Sequence, residues 1–343
     1  MDRPTVHDLA RHARVSLATV DRVLNGRPGV REQTISRVQK AIDELGYSRD
    51  TNAATLARKN PYRFVFLLPK SNTQFLDTLI AAIHEAASTH AALRAKIEVL
   101  QAPMRTPENA LEAIQSLDPD ALDGLAIMAP ETPSIRDAVL NLQSNGVQVV
   151  PIISDLPNAA SGHFVGINNV AAGRTAALLL GGFSNAHHGP VAVIGGQAME
   201  RSFVDRRLGF DAVMRERFPH LTVMPTIEGY DDAARVQQLV EKLIARQPDL
   251  AGIYLAASGT SGLTAALRQA KHAGLKVVAH DMTKASRAGL IDGLLDALIV
   301  QDVGHITRSA IRVLRALKDG LPISAAQERI RIEIFTRENL PDP

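Results

Sequence analysis

From Phe64 onward, short apolar runs recur with room for about one helix between successive runs. They are Phe64-Leu68, Ile97-Leu100, Leu125-Met128, Val149-Ile153, Val191-Ile194, Gly252-Leu255, Val277-Ala279 and Leu298-Val300, and helical patterns lie between most of them. Such runs read as buried strands, and regular β–α alternation argues for parallel sheets with helices on both faces. About 280 residues is too much for one such sheet, so two similar lobes are expected. Polar residues just past the carboxyl ends of the strands are where a ligand is expected.

The chain has 343 residues and no cysteine, which removes disulfides, thiolate metal sites and cysteine nucleophiles together. No apolar run approaches the length of a membrane span, and Asp2-Arg3 opens the chain in place of an export signal core, so a cytoplasmic protein with no membrane partner is expected. The net charge of +2 divides unevenly: residues 1–60 carry +4 and the remainder −2. A basic head on a slightly acidic body fits a nucleic-acid-binding module attached to another domain.

Within that head, Thr5 can cap a helix whose Val6, Leu9, Ala10 and Ala13 share a face. Ser16 can cap a second helix that buries Val20, Val23 and Leu24 and ends near Asn25-Gly26. Its opposite stripe is Leu17, Ala18, Asp21, Arg22 and Asn25. A third helix is expected from about Glu32 to Leu45, with Ile35, Val38, Ile42 and Leu45 inward and Gly46 as its stop. Two short helices joined by a three-residue connection form a helix-turn-helix, whose second helix fits a major groove about 12 Å wide.

The segments Thr5-Val6-His7-Asp8-Leu9-Ala10, Val15-Ser16-Leu17-Ala18-Thr19-Val20, Arg22-Val23-Leu24-Asn25-Gly26 and Leu45-Gly46-Tyr47 resemble the lactose-repressor family of bacterial transcriptional regulators. The resemblance runs without a gap through Lys59 and continues in the length and element order of a sensor domain similar to periplasmic sugar-binding proteins. It implies a helix-turn-helix over 1–48, a hinge over 49–61 and an effector-binding domain over 62–343 built of two Rossmann-like, doubly wound parallel-sheet lobes. The first lobe would take about 62–164 and 303–325, the second about 165–300 and 327–343.

In the reading stripe, Arg22 can make a paired bond to guanine, and Leu17 and Ala18 can meet thymine methyls. Asp21 stands where the family commonly has serine, and a carboxylate facing phosphates is repelled; whether it pairs with Arg22 or with a base stays open. Thr5, Ser16, Thr19 and Asn25 resemble backbone-contacting positions, and capping accounts for the same residues. The resemblance implies that Leu56 wedges into the minor groove when two hinges pair on DNA.

For the sensor, Asn72 and Phe75 come after the first strand and resemble a ligand-facing pair, though core packing accounts equally well for Phe75. Asp155 comes after the strand ending at Ile153, where a carboxylate can accept hydroxyls or simply shape a turn before Pro157. The Arg-x-x-Gly-Phe spacing maps the family's effector-gripping arginine onto Arg206 and leaves Arg207 as a solvent-exposed neighbour. Asp281 and Gln301 match cleft positions after later strands. Ser258 lies in a loop where many relatives carry Asn-Asp. At Asn168 and Asn169 a hinge role and a ligand role are not separable.

No metal is expected, since His187-His188 and His280-Asp281 lack a third suitably spaced ligand. Nor is a dinucleotide cofactor, because Gly195-Gly196 lacks the third glycine of the fingerprint. The reading that results is a homodimer on a palindromic operator, controlled by a sugar or polyol and performing no catalysis. A transport solute-binding protein or a sugar-active enzyme on the same scaffold are the alternatives; the first predicts an export signal, the second a nucleophile or acid–base pair in the cleft.

Overall fold

The computed structural model describes residues 4–24, 28–47, 61–90, 94–104, 106–157, 159, 162–184, 188–196, 200–270 and 274–342. The chain divides into two compact units, 1–61 and 62–343.

In the first unit, the Thr5 hydroxyl accepts from the Asp8 amide while Asp8 accepts from the Thr5 amide at 2.9 Å. This capping box opens α1 (Val6–Ala13). Arg14, left-handed at φ 52°, closes it. Ser16 Oγ then accepts from the Thr19 amide at 3.2 Å and opens α2 (Leu17–Leu24). The third helix, α3 (Glu32–Leu45), ends at Gly46 with φ 59°, a conformation in which glycine carries no Cβ penalty. Leu9, Val20 and Val38 are wholly buried, and Ala10, Ala13, Ala41 and Tyr47 complete the core. The small Ala10 and Ala13 let the helices approach closely.

The second unit holds two sheets. β1 (Tyr62–Pro69), α4 (Gln74–His90), β2 (Ala95–Ala102), α5 (Pro107–Gln115), β3 (Gly124–Ile127), α6 (Pro133–Ser144) and β4 (Gln148–Pro151) build the first lobe. Its four parallel strands run in the order β2-β1-β3-β4. Thr106 and Thr132 each cap a helix whose first residue is proline, a placement that suits proline's fixed φ and missing N–H.

The second lobe comes next in the chain, with α7 (Asn169–Phe183), β5 (Pro190–Gly195), α8 (Arg201–Arg217), β6 (Thr222–Val223), β7 (Ile227–Glu228), α9 (Ala233–Arg246), β8 (Gly252–Leu255), α10 (Thr260–Ala270), β9 (Lys276–His280), α11 (Lys284–Ile291) and β10 (Ala297–Gln301). Near the end of the chain, β11 (Ile332–Phe335) joins the same sheet. The sheet order is β11-β10-β9-β8-β5-β6, with β7 also on β5. Every strand pairs parallel except β11, which is antiparallel to β10. The expected two-lobed α/β architecture is thus present. Residues of β3, β8 and β10 are buried throughout, as strands covered on both faces must be.

Between β10 and β11 runs α12 (Val303–Asp319), which packs on the other sheet. A Cβ on Gly124 in β3 would lie 3.0 Å from Leu314, and the Tyr62 hydroxyl donates to Asp319 at 2.8 Å. The chain therefore passes between the lobes three times: after β4, into α12 and out of it.

Candidate functional site

Two surfaces stand out. On α2, Leu17, Ala18, Asp21 and Arg22 face solvent while Val20 on the opposite side is wholly buried. That leaves an exposed stripe of one guanidinium, one carboxylate and two apolar side chains. Thr5 and Ser16 both serve as caps, and Ser16 Oγ lies 2.9 Å from Thr19 Oγ1. Asn25 and Leu56 lie outside the described residues.

The second surface is a cleft of about 540 Å³ between the lobes of the larger unit. Its lining comes from residues at or just past the carboxyl ends of the strands: Asn72 and Phe75 after β1, Glu200 after β5, Asp231 after β7, Ser258 after β8, Asp281 after β9 and Gln301 ending β10. Of the seven effector positions expected from sequence, the structure gathers Asn72, Phe75, Arg206, Ser258, Asp281 and Gln301 here. Asp155 is not among them; it lines a separate depression with Asp205 and residues 162–169 and 323–332.

Arg206 sits on the buried face of α8. Its Nε donates to Asn169 Oδ1 at 2.8 Å and an Nη to the Ala256 carbonyl at 2.9 Å. Asn169 in turn donates to the Ile153 carbonyl at 3.2 Å. Such contacts fix a guanidinium fork so that its free edge is presented in one orientation. The glycine in the Arg-x-x-Gly-Phe spacing explains the placement: a Cβ on Gly209 would lie 2.0 Å from the Val170 carbonyl, and one on Gly173 1.9 Å from that of Arg206. Only two glycines let α7 and α8 come together and set Arg206 against Asn169.

Arg207 corrects an expectation. It is half-buried, bound to Asp211 at 2.8 Å, Thr226 at 2.9 Å and the Met224 carbonyl at 3.2 Å. It fastens α8 to the irregular edge around β6 and β7, a partner set invisible without the topology.

Gln301 donates to Asp281 Oδ1 at 3.2 Å. Its Oε1 is buried with no hydrogen-bond partner among the described residues. Phe75 is 8% exposed and belongs to the core cluster while also lining the cleft, so packing and ligand-facing roles coexist.

Glu200 and Asp231 were not anticipated. A Cβ on Gly196 would lie 3.0 Å from Glu200 Oε2 and 3.2 Å from Asp231 Oδ2, so the two carboxylates crowd one point. Asp231 Oδ1 accepts from the Ser258 amide at 2.8 Å. Desolvation first and the charge of Asp231 second push the Glu200 carboxyl up to about 8, against the pull of Arg206. Burial likewise raises Asp231 and Asp281, which the Ser258 amide and Arg206 respectively offset in part. Behind the cleft, the Tyr254 hydroxyl lies 2.7 Å from His280 Nε2, and burial holds that imidazole well below its ordinary range.

Backbone strain is concentrated in the same place. Among the described residues six non-glycines have left-handed φ, and four of these, Ile153, Tyr230, Asp231 and Asp281, line the cleft. Strain of this kind persists where the surrounding fold imposes it and clusters at ligand sites.

The chain thus joins a helix-turn-helix with an exposed second helix to a two-lobed α/β domain with a polar cleft. Residues 5–50 match the lacI family of bacterial regulatory proteins and residues 64–322 the periplasmic binding protein domain. The chain carries an N-terminal domain of the lacI family, and over its larger part it belongs to the periplasmic binding protein domain family.

It is 25% identical over 164 residues to catabolite control protein A of Staphylococcus aureus, covering 48% of this chain and 47% of that one. To the ribose operon repressor of Halalkalibacterium halodurans it is 37% identical over 86 residues, 25% of this chain and 26% of the other. The chain thus matches about half or less of the length of these curated relatives. Similar solved structures include a solute-binding protein from Burkholderia graminis in complex with D-arabinose (TM-score 0.73, 24% identity, 82% of this chain and 98% of that one). Another is GanP, a glucose-galactose binding protein from Geobacillus stearothermophilus (TM-score 0.73, 17% identity, 82% and 100%). These likenesses establish the fold.

Proposed function

We propose that the chain is a sequence-specific transcriptional repressor whose affinity for a palindromic operator is set by a sugar or polyol bound between the two lobes. The observation that carries this reading is the cleft itself: Arg206, Asp281 and Gln301 converge at strand ends in a chain that also has an exposed reading helix. The relative named as a ribose operon repressor and the neighbour solved with D-arabinose support it. Arg22 reads a base, Leu17 and Ala18 make apolar contacts, and Thr5, Ser16, Thr19 and Asn25 orient the module. Residues 49–61 act as the hinge, with Leu56 as its wedge.

The chain works as a homodimer, because two half-sites related by two-fold symmetry call for a two-fold protein. It acts in the cytoplasm, beside its operator, and catalyses nothing. The effector shifts the operator equilibrium only through its differential affinity for the two lobe arrangements.

Two variants test the reading in one binding assay. Arg22→Ala should weaken specific operator binding by about 1–3 kcal/mol and relax one base position. Arg206→Ala should abolish the effector response and leave operator affinity in place. Unchanged base preference in the first, or a retained response in the second, overturns the corresponding half.

A further inference from the structure

The charge inside the cleft is unbalanced. Glu200, Asp231 and Asp281 line it against Arg206, whose Nε and one Nη are already committed to Asn169 and the Ala256 carbonyl. Lys70 reaches the same cavity from the first lobe, but it is exposed. Asp232 accepts from the Arg235 amide at 2.9 Å as the cap of α9, and Tyr230 bonds Glu228. Neither Asp232 nor Tyr230 supplies positive charge to the Glu200–Asp231 pair.

Acceptors also outnumber donors. Among the described residues, the Gln301 Oε1, in a side chain 3% exposed, has no hydrogen-bond partner, and the half-buried Glu200 carboxylate is favoured by the charge of Arg206 with no hydrogen bond beside it. A neutral polyol can donate hydroxyls to these oxygens but brings no charge to offset a second carboxylate in the half-buried cleft, so Glu200 would keep its proton. An ammonium group brings three donors and the missing charge together. Gly196 leaves the point between the two carboxylates free of side-chain atoms.

We propose that the effector carries a protonated amine beside its hydroxyls, an aminated sugar or polyol, and that Glu200 and Asp231 receive the ammonium. This rests on the cleft being the effector site. Arg206, Asp281 and Gln301 then hold the hydroxyls, and the ammonium displaces the proton that free Glu200 retains near neutral pH. That proton passes to the buffer as the Glu200 carboxylate forms. A carboxylated sugar is the ligand class the pair rejects.

Calorimetric titration of the full chain near neutral pH with matched probes tests this: neutral hexoses, pentoses and inositol against their mono-amino counterparts and the corresponding uronic acids. The best amino probe should bind about ten-fold or more tighter than its parent, as expected for a charge-assisted bond. Its binding should release a proton, read from the dependence of the heat on buffer ionisation enthalpy. Glu200→Gln should collapse the ratio and abolish the release, with its melting temperature showing that it folds.

Parents that bind as tightly as amines without proton release would overturn the inference; if those parents also alter operator affinity, the sugar-responsive reading stands. If no probe of either class shifts the melting temperature or operator affinity, both fall.

Discussion

Glu200 and His280 make the stability of the folded chain depend on pH in opposite directions. Glu200, held up at about 8 against an ordinary 4.5, keeps a proton that the unfolded chain has already released. Stability from this group therefore declines as pH rises from about 4.5 to about 8. His280, held below its ordinary 6.5, stays neutral where the unfolded chain takes up a proton, so its contribution is lost as pH falls below 6.5. Scanning calorimetry from about pH 5 to pH 9 should show the alkaline decline flattened in Glu200→Gln and the acid decline unchanged. Parallel profiles for the two proteins would contradict the assignment. The residues differ in how readable they were. Arg206 and Asp281 lie in a recognisable spacing and at a strand end. Glu200 and Asp231 sit in turns with no period, and they meet only because β7 pairs beside β5 through Ile194–Ile227 and Gly195–Glu228. Gly195-Gly196 was the visible trace of that meeting: Phe203 packs over the first glycine and the two carboxylates over the second.

At the scale of elements, the contact of α7 with α8 carries the site. Gly209→Ala places a methyl 2.0 Å from the Val170 carbonyl, and a helix backbone cannot yield as a flexible side chain does. Denaturant titration should show a loss of about 1–3 kcal/mol, the usual cost of overpacking. Ligand affinity should fall as well, because separating the helices pulls Arg206 from Asn169. A variant with wild-type stability and affinity would show that the helices have slack. The eight strands named from sequence all exist, most of them as apolar runs covered on both sides; β2 is the exception, an edge strand whose Lys96, Glu98 and Leu100 are exposed. Two-residue β6 and β7 were missed because two residues carry no pattern. The three head helices were legible through caps that fall where Thr5, Ser16 and Gly46 stand.

At the scale of the molecule, polar contacts join the lobes of the larger unit besides its three chain crossings; among the described residues, the Asn169 side chain donates to the Ile153 carbonyl and the Ser202 amide to Ser154 Oγ. Arg201 at the start of α8 meets Glu131 at 3.3 Å, and the Ala285 amide donates to Gln74 Oε1 at 3.1 Å. Arg201 is 41% exposed and Glu131 22%, so solvent screens their pairing. Glu131→Gln should lower effector affinity only by about two- to five-fold, the range for a pair worth up to about 1 kcal/mol. The deficit should vanish in high salt. A loss of a hundred-fold would mean that this pair, and not the cleft, holds the lobes together. The crossing at α12 has a consequence for synthesis. The first lobe's strands leave the ribosome early, but the helix that buries Ile306, Ala310 and Leu314 against that lobe emerges after β10 of the second. Neither lobe is a contiguous stretch of the nascent chain. The first must wait, incompletely covered, through the translation of nearly all of the second, and the binding domain is finished only when β11 closes the edge of the sheet.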